Sequence, residues 1–168
     1  MALHFSKQEF EKRKLATLKS MKEQNLDALL MFRQESMFWL TGYDTFGYVF
    51  FQTLILDQKG NIILLTRAPD LRQAQNTSNI EDIRIWVDKD QSNPTDDLKI
   101  ILNELNLKGK KIGIEYEAYG MTGRNALRLN KSLKGYCEVE DQSELITKHR
   151  VIKSQEEIVY VKKAAELA

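Results

Sequence analysis

The chain has 168 residues, 25 of them Lys or Arg and 24 Asp or Glu, for a net charge of +1. That length supports one domain with a proper core, and the even charge balance argues against a nucleic-acid module, which carries a strong basic excess. No apolar run approaches the ~20 residues that cross a bilayer, and the opening ten residues lack the basic-then-apolar layout of a secretion signal.

Ser6 opens the first predicted helix, and Glu9 completes the spacing of a capping box. Phe10, Leu18 and Met21 share one face of it, with Leu15 at the edge, and it ends near Gln24–Asn25. Ala28–Phe32 is an unbroken apolar run, the pattern of a strand covered on both faces. A short helix around Ser36–Leu40 leads into Thr41–Gly47, a loop by its glycines and Asp44. Tyr48–Leu56 is the longest predicted strand, rich in aromatic and β-branched side chains. Asp57–Gly60 makes a turn, and Ile62–Thr66 returns antiparallel as a hairpin.

Pro69 opens a short helix running to about Asn76. Ile83, Ile85 and Val87 alternate with Arg84 and Trp86, which predicts a half-exposed strand. Leu98, Ile101, Leu102 and Leu105 mark an amphipathic helix. Lys111–Glu115 reads as a strand, Thr122 to about Leu133 as a helix, and Tyr136–Glu140 as the last strand. A helix from about Gln142 to His149 precedes the terminal one, Ser154–Ala168. The expected fold is α/β: three layers, with a mixed, about six-stranded sheet flanked by helices. The hairpin keeps the sheet from being wholly parallel.

The terminal helix carries a second capping box, Ser154 with Glu157. Ile158, Val161, Ala165 and Ala168 line one stripe of it, and no glycine, asparagine or proline closes it. A helix of this kind expects more protein to pack against. The reading is therefore an N-terminal piece of a longer polypeptide, with a compact unit over 1–152 and the start of a linker helix over 153–168.

The residues suited to chemistry are few. Cys137 stands alone in a predicted strand and reads as a buried free thiol, which fits a reducing cytoplasm. His4 and His149 lie far apart, with no Cys-x-x-Cys or His-x-x-x-His pair, so no zinc site of the usual ligands is expected. His149, in Lys-His-Arg, reads as a surface or capping residue. The aromatic loop Tyr43–Tyr48 has two readings: Phe46 and Tyr48 turn inward to begin the next strand, or at least one ring faces a ligand or partner. Glu115 and Glu117 would share one side of a strand, as paired acid–base groups sometimes do, but solvated strand-end acids are the commoner explanation. The glycines form neither Gly-x-Gly-x-x-Gly nor a phosphate loop, leaving nucleotide binding without support.

Two segments carry a family resemblance. Lys22–Leu30 followed by Glu35–Tyr43, with its Leu-Thr-Gly-Tyr, resembles the opening of the creatinase/prolidase N-terminal domain. Arg150–Ile158, with its Arg-x-x-Lys-Ser-x-x-Glu-Ile, followed by Ala164–Glu166, is similar to that family's junction with its catalytic domain. The resemblance implies a C-terminal "pita-bread" catalytic domain holding two divalent metal ions (Mn, Co or Zn) through Asp, His and Glu ligands, none of which maps here. It implies hydrolysis of Xaa-Pro peptides or of C–N bonds in small amides. It also implies a homodimer in which the loop after Leu-Thr-Gly-Tyr reaches the partner's active site. Tyr43, Asp44, Phe46 and Tyr48 are the candidates for that loop, shaping a substrate pocket and excluding water rather than breaking bonds.

Creatinases place an arginine close behind a Phe-Gly pair in this loop to hold the substrate carboxylate. Here Phe46–Gly47 is followed by Tyr48 and Val49, with no arginine until Arg67. That puts an Xaa-Pro peptidase, or an amidohydrolase such as an ectoine hydrolase, ahead of a creatinase. The expected partners are the chain's own catalytic domain, a second copy and a small substrate, with no nucleic acid and no membrane. A freestanding binding or assembly module is the rival reading.

Overall fold

The computed structural model describes residues 3–167, which leaves Ala168 of the terminal stripe outside the described residues. The elements run α1 (Lys7–Glu23), β1 (Ala28–Met31), α2 (Gln34–Thr41), β2 (Thr53–Asp57) and β3 (Ile62–Arg67), then a 3-10 turn at Ala68–Asp70 and α3 (Leu71–Thr77). There follow β4 (Asp82–Trp86), α4 (Pro94–Glu104), β5 (Lys111–Ile114), α5 (Gly123–Leu133), β6 (Glu138–Asp141), α6 (Leu145–Val151) and α7 (Gln155–Leu167).

One six-stranded sheet has the order β4-β3-β2-β1-β5-β6. β2 is antiparallel to both β1 and β3, while β1–β5, β3–β4 and β5–β6 pair in parallel. Five strands therefore point one way and end at a single edge, where the chain also enters β2. All four residues of β1 are buried, as its unbroken apolar run requires: the strand is central and helices cover both faces.

Strand alternation divides the interior into two cores. Ala28, Leu30, Ile55, Ile63, Leu65, Ile112 and Ile114 face α4 and α5, which contribute Leu98, Ile101, Leu102, Leu129 and Leu133. Leu29, Met31, Leu54, Leu56 and Leu64 face the opposite layer, which contributes Met21 of α1, Met37 and Leu40 of α2, Ala74 of α3 and Ile146 of α6. The fold is the three-layer α/β arrangement with a mixed sheet.

Several local expectations change in the folded chain. The strand expected over Tyr48–Leu56 is shorter. Tyr48–Phe50 form a turn in which the Phe50 N–H donates to the Gly47 carbonyl at 2.9 Å, and β2 starts only at Thr53. β4 is half-exposed as its alternation predicts, with Trp86 buried, Ile83 partly buried, and Ile85 and Val87 exposed. α4 covers the Trp86 side of this edge strand, and the indole N–H finds an acceptor in the Phe51 carbonyl at 3.0 Å. β6 begins two residues later than expected, so Cys137 precedes it, half-buried, with its thiol pushed up to about 11 by burial.

The capping box at Ser6 is only half made. Ser6 Oγ accepts the Glu9 N–H at 3.1 Å, but the Glu9 carboxylate turns to Arg13 and the Ser6 N–H goes to Glu156. The box at Ser154 is complete, with both reciprocal bonds formed. α7 then extends with no buried residue, and Val159, Val161 and Leu167 remain exposed.

Candidate functional site at the carboxyl edge of the sheet

Parallel strands whose following helices diverge to opposite faces leave a crevice at their carboxyl ends. Two such pairs matter here. After β1 and β5 the chain enters α2 on one face and α5 on the other; after β3 and β4 it enters α3 and α4 likewise.

The β3–β4 crevice is closed by the loop leading into β2. Phe51 is buried, packs edge-on against Phe32 at 5.3 Å, and holds Trp86 through its carbonyl. The guanidinium of Arg67 lies 3.4 Å over the Phe50 ring and pairs with Asp70 at 3.0 Å.

The loop itself is braced from beneath. Gly42 ends α2 in the left-handed region at φ 81°, and its N–H donates to Phe38. Tyr43 then turns fully inward; its hydroxyl donates to Gln52 Oε1 at 2.8 Å, and burial raises the phenol above its ordinary value. Thr45 is buried and accepts the Gly47 N–H at 2.9 Å. A Cβ on Gly47 would run into the Gln52 amide and come within 2.7 Å of the Asp70 carboxylate, so any side chain there forces both groups to move. On this base Asp44 and Phe46 stand in solvent, Phe46 at 85% exposure. Tyr48 is 38% exposed and meets Tyr119 edge-on at 5.6 Å. Of the four candidates, Tyr43 braces the loop from inside, and Asp44, Phe46 and Tyr48 present its surface. The inward reading of Phe46 and Tyr48 gives way to an outward one.

The β1–β5 crevice is open. A cavity of about 540 Å³ lies between the segment after β1 (Phe32–Glu35) and the segment after β5 (Tyr116–Tyr119), walled by Tyr48 and Arg150. Glu115 and Glu117 do not share its side. β5 ends at Ile114, after which Glu115 is fully buried and Glu117 is exposed against Arg33. Glu115 accepts the N–H groups of Phe32 and Arg33, each at 3.0 Å, and the Ser36 hydroxyl at 2.6 Å. Burial outweighs those bonds and pushes its carboxyl up to about 7. With every partner internal, it fastens the crevice wall rather than acting on a ligand.

Arg33 is committed to the Glu117 side chain and carbonyl and to Thr147, whereas Arg150 has no ion-pair or hydrogen-bond partner among the described residues. Sequence reasoning did not single out Arg33 or Arg150 for this edge, since they reach it from segments far apart in the chain.

The histidines serve packing. His149 stacks on Trp39 at 5.9 Å, its Nε2 lies 3.0 Å from Ser20 Oγ, and burial lowers its pKa. This Ser–His contact joins α1 to α6. Among the described residues no group of three or more His, Cys, Asp or Glu could hold a metal ion, and no helix is long and apolar enough to cross a membrane.

Comparison with known proteins agrees with this architecture. Residues 13–152 match the Creatinase/Prolidase N-terminal domain. An uncharacterized hydrolase/peptidase of Sinorhizobium fredii is 29% identical over 96% of this chain and 43% of its own length. The ectoine hydrolase of Halomonas elongata is 25% identical over 99% of this chain and again 43% of its own. Among solved structures, a prolidase from Thermococcus sibiricus shares the fold at a TM-score of 0.77 and 22% identity, covering 94% of this chain and 41% of that one. The chain thus spans under half the length of the curated relatives it matches. With the fold and the match over 13–152 together, the chain belongs to the creatinase/prolidase N-terminal domain family.

Proposed function

We propose that this chain is the non-catalytic N-terminal domain of a dinuclear-metal hydrolase of the Xaa-Pro peptidase type, cytoplasmic and homodimeric. On this reading residues 1–152 form the domain, and 153–168 open the helix that leads into a catalytic domain. The loop Tyr43–Tyr48 contributes to the substrate pocket, across the dimer, through Asp44, Phe46 and Tyr48 held in place by Tyr43. The observation that carries the reading is this braced loop at the carboxyl edge, with Phe46 presented to solvent in a chain whose residues 13–152 match the family. A large ring held outward on a rigid base suits a wall that closes over a ligand and excludes water. Two divalent metal ions (Mn, Co or Zn) would belong to the catalytic domain, as the family resemblance implies.

The likeness to the Halomonas ectoine hydrolase supports a second reading, the same domain in an amidohydrolase acting on a small C–N substrate. Sequencing the gene beyond residue 168 tests the shared core of both. A further ~200 residues, the size of a second domain, with spaced Asp, Asp, His, Glu and Glu are expected; a stop codon there would favour the freestanding module instead. The 168-residue chain alone, given manganese and Ala-Pro, should show no turnover, and robust hydrolysis would overturn the assignment. Assay of the full gene product on Ala-Pro and on ectoine separates the two readings.

A further inference from the structure

α7 buries no residue of its own, yet its first turn is gripped at one desolvated point. Arg13, midway along α1, is 3% exposed. Its Nε donates to Glu9 Oε1 at 3.1 Å, its Nη1 donates to the Trp39 carbonyl at 2.7 Å, and its Nη2 lies 3.3 Å from Glu157 Oε1. The guanidinium also sits over the Phe5 ring at 4.2 Å, with the Trp39 and Phe10 rings at 5.3 and 5.5 Å. One side chain therefore touches α1, α2, the N-terminal segment and α7.

Glu157 has two duties. One oxygen faces Arg13; the other accepts the Ser154 N–H at 2.7 Å and so starts α7. Among the described residues Arg13 Nη2 finds no aligned hydrogen-bond acceptor, so Glu157 is the countercharge that it meets. Losing that countercharge would leave Glu9 as the remaining carboxylate on a buried guanidinium and Nη2 without any partner, a costly state. Among the described residues the other ties between α7 and the domain are more open to water, with Tyr160 44% exposed and its ring edge-on to Phe5 at 5.4 Å. The Ser6 N–H and hydroxyl donate to Glu156 at 2.9 and 2.6 Å, and the Tyr160 hydroxyl donates to the His4 carbonyl at 2.7 Å. Contacts open to water in this way contribute little net stability.

We propose that Arg13 and Glu157 form a clasp that fixes the direction in which α7 leaves the domain, with Ile152–Ser154 as the joint about which α7 swings when the clasp is open. The device stands whether or not the enzymatic reading holds, because it depends only on contacts within this chain.

The test uses the 168-residue chain in a Cys137→Ser background, spin-labelled at the exposed Lys19 of α1 and Lys162 of α7. Pulsed dipolar spectroscopy should return one narrow distance distribution. Glu157→Gln keeps an acceptor for the cap but removes the charge, and it should broaden that distribution by roughly twofold or more, as local release predicts. Near-UV circular dichroism from Trp39 and Trp86 should not change, showing both cores intact. Tyr160→Ala, which removes an exposed tie, should leave the distribution narrow. An unchanged distribution in Glu157→Gln, or equal broadening in Tyr160→Ala, would overturn the clasp.

Discussion

Glu115 Oε1 lies 2.6 Å from the hydroxyl of Ser36, and that bond fastens the end of β5 to the first turn of α2. The same carboxylate receives the N–H groups of Arg33, the N-cap of α2, and of Phe32 just before it. Arg33 occupies the N-cap position and offers no capping oxygen, so the cap comes from a neighbouring strand.

This arrangement has a pH signature. Burial pushes the Glu115 carboxyl from its ordinary 4.5 up to about 7. Between those values the folded chain keeps a proton that the unfolded chain releases, so stability falls as pH rises. The contribution is fully present below pH 4.5 and lost through about pH 7, a swing on the order of 3 kcal/mol. His149 acts in the opposite sense, since burial lowers its pKa and acidification favours the unfolded chain. Urea unfolding of the native chain and of Glu115→Gln, in which His149 is retained, isolates the effect. The stability difference between them should slope from pH 4.5 to 7 and then level off; a flat difference would remove Glu115 as the titrating group.

Gly47→Ala tests the base of the loop. The added methyl meets the Asp70 carboxylate and the Gln52 amide, both buried and both engaged in bonds. Overpacking of this kind costs about 1–3 kcal/mol. Thermal unfolding should show that loss, together with weakened amide protection at Gly47 and Phe50. Native stability in Gly47→Ala would mean that the loop relaxes freely.

Much of this fold was readable from local pattern, and the failures have physical causes. Ala28–Met31 announced a central strand, and Ser6, Thr122 and Ser154 each announced a helix start, because periodicity and caps act within a few residues. Tyr48–Phe50 have strong strand propensity but no ladder partner, since the chain must cross the carboxyl ends of β3 and β4 before it can pair. Alternation in β4 announced a half-exposed strand but not its orientation, since the cover supplied by α4 is what buries Trp86. The open crevice was illegible for a related reason: Arg33, Tyr119 and Arg150 meet only because the sheet places β1 beside β5. Nor does any local signal pair Glu115 with Ser36, which stand 79 residues apart.

Tyr43→Phe removes a single hydroxyl from the interior of the loop. That group donates to Gln52 Oε1, and Gln52 Nε2 in turn reaches Thr45 Oγ1 at 3.3 Å. Deleting it leaves a buried acceptor short of a partner, at a cost of about 1–2 kcal/mol. In the native chain, ultraviolet titration should show three tyrosines, Tyr43, Tyr116 and Tyr136, ionising above the ordinary value of 10, each raised by burial, and Tyr43→Phe should remove one of them. An unchanged amplitude of the shifted component would show that Tyr43 does not contribute to it.

Phe46 and Phe51 sit five residues apart in one loop and should respond oppositely to truncation. Phe51 is buried and packs edge-on against Phe32, so Phe51→Ala should cost about 3–5 kcal/mol. Phe46 stands 85% exposed, so Phe46→Ser should change stability by no more than about 0.5 kcal/mol. Paired urea titrations supply both numbers. A large loss at Phe46 would show that its ring is packed within the chain, and the loop would then have no free aromatic wall to offer a ligand. Near-neutrality at Phe46 beside a large loss at Phe51 is the outcome expected of a rigid base that carries an outward ring, because ring size matters to folding only where neighbours close around it.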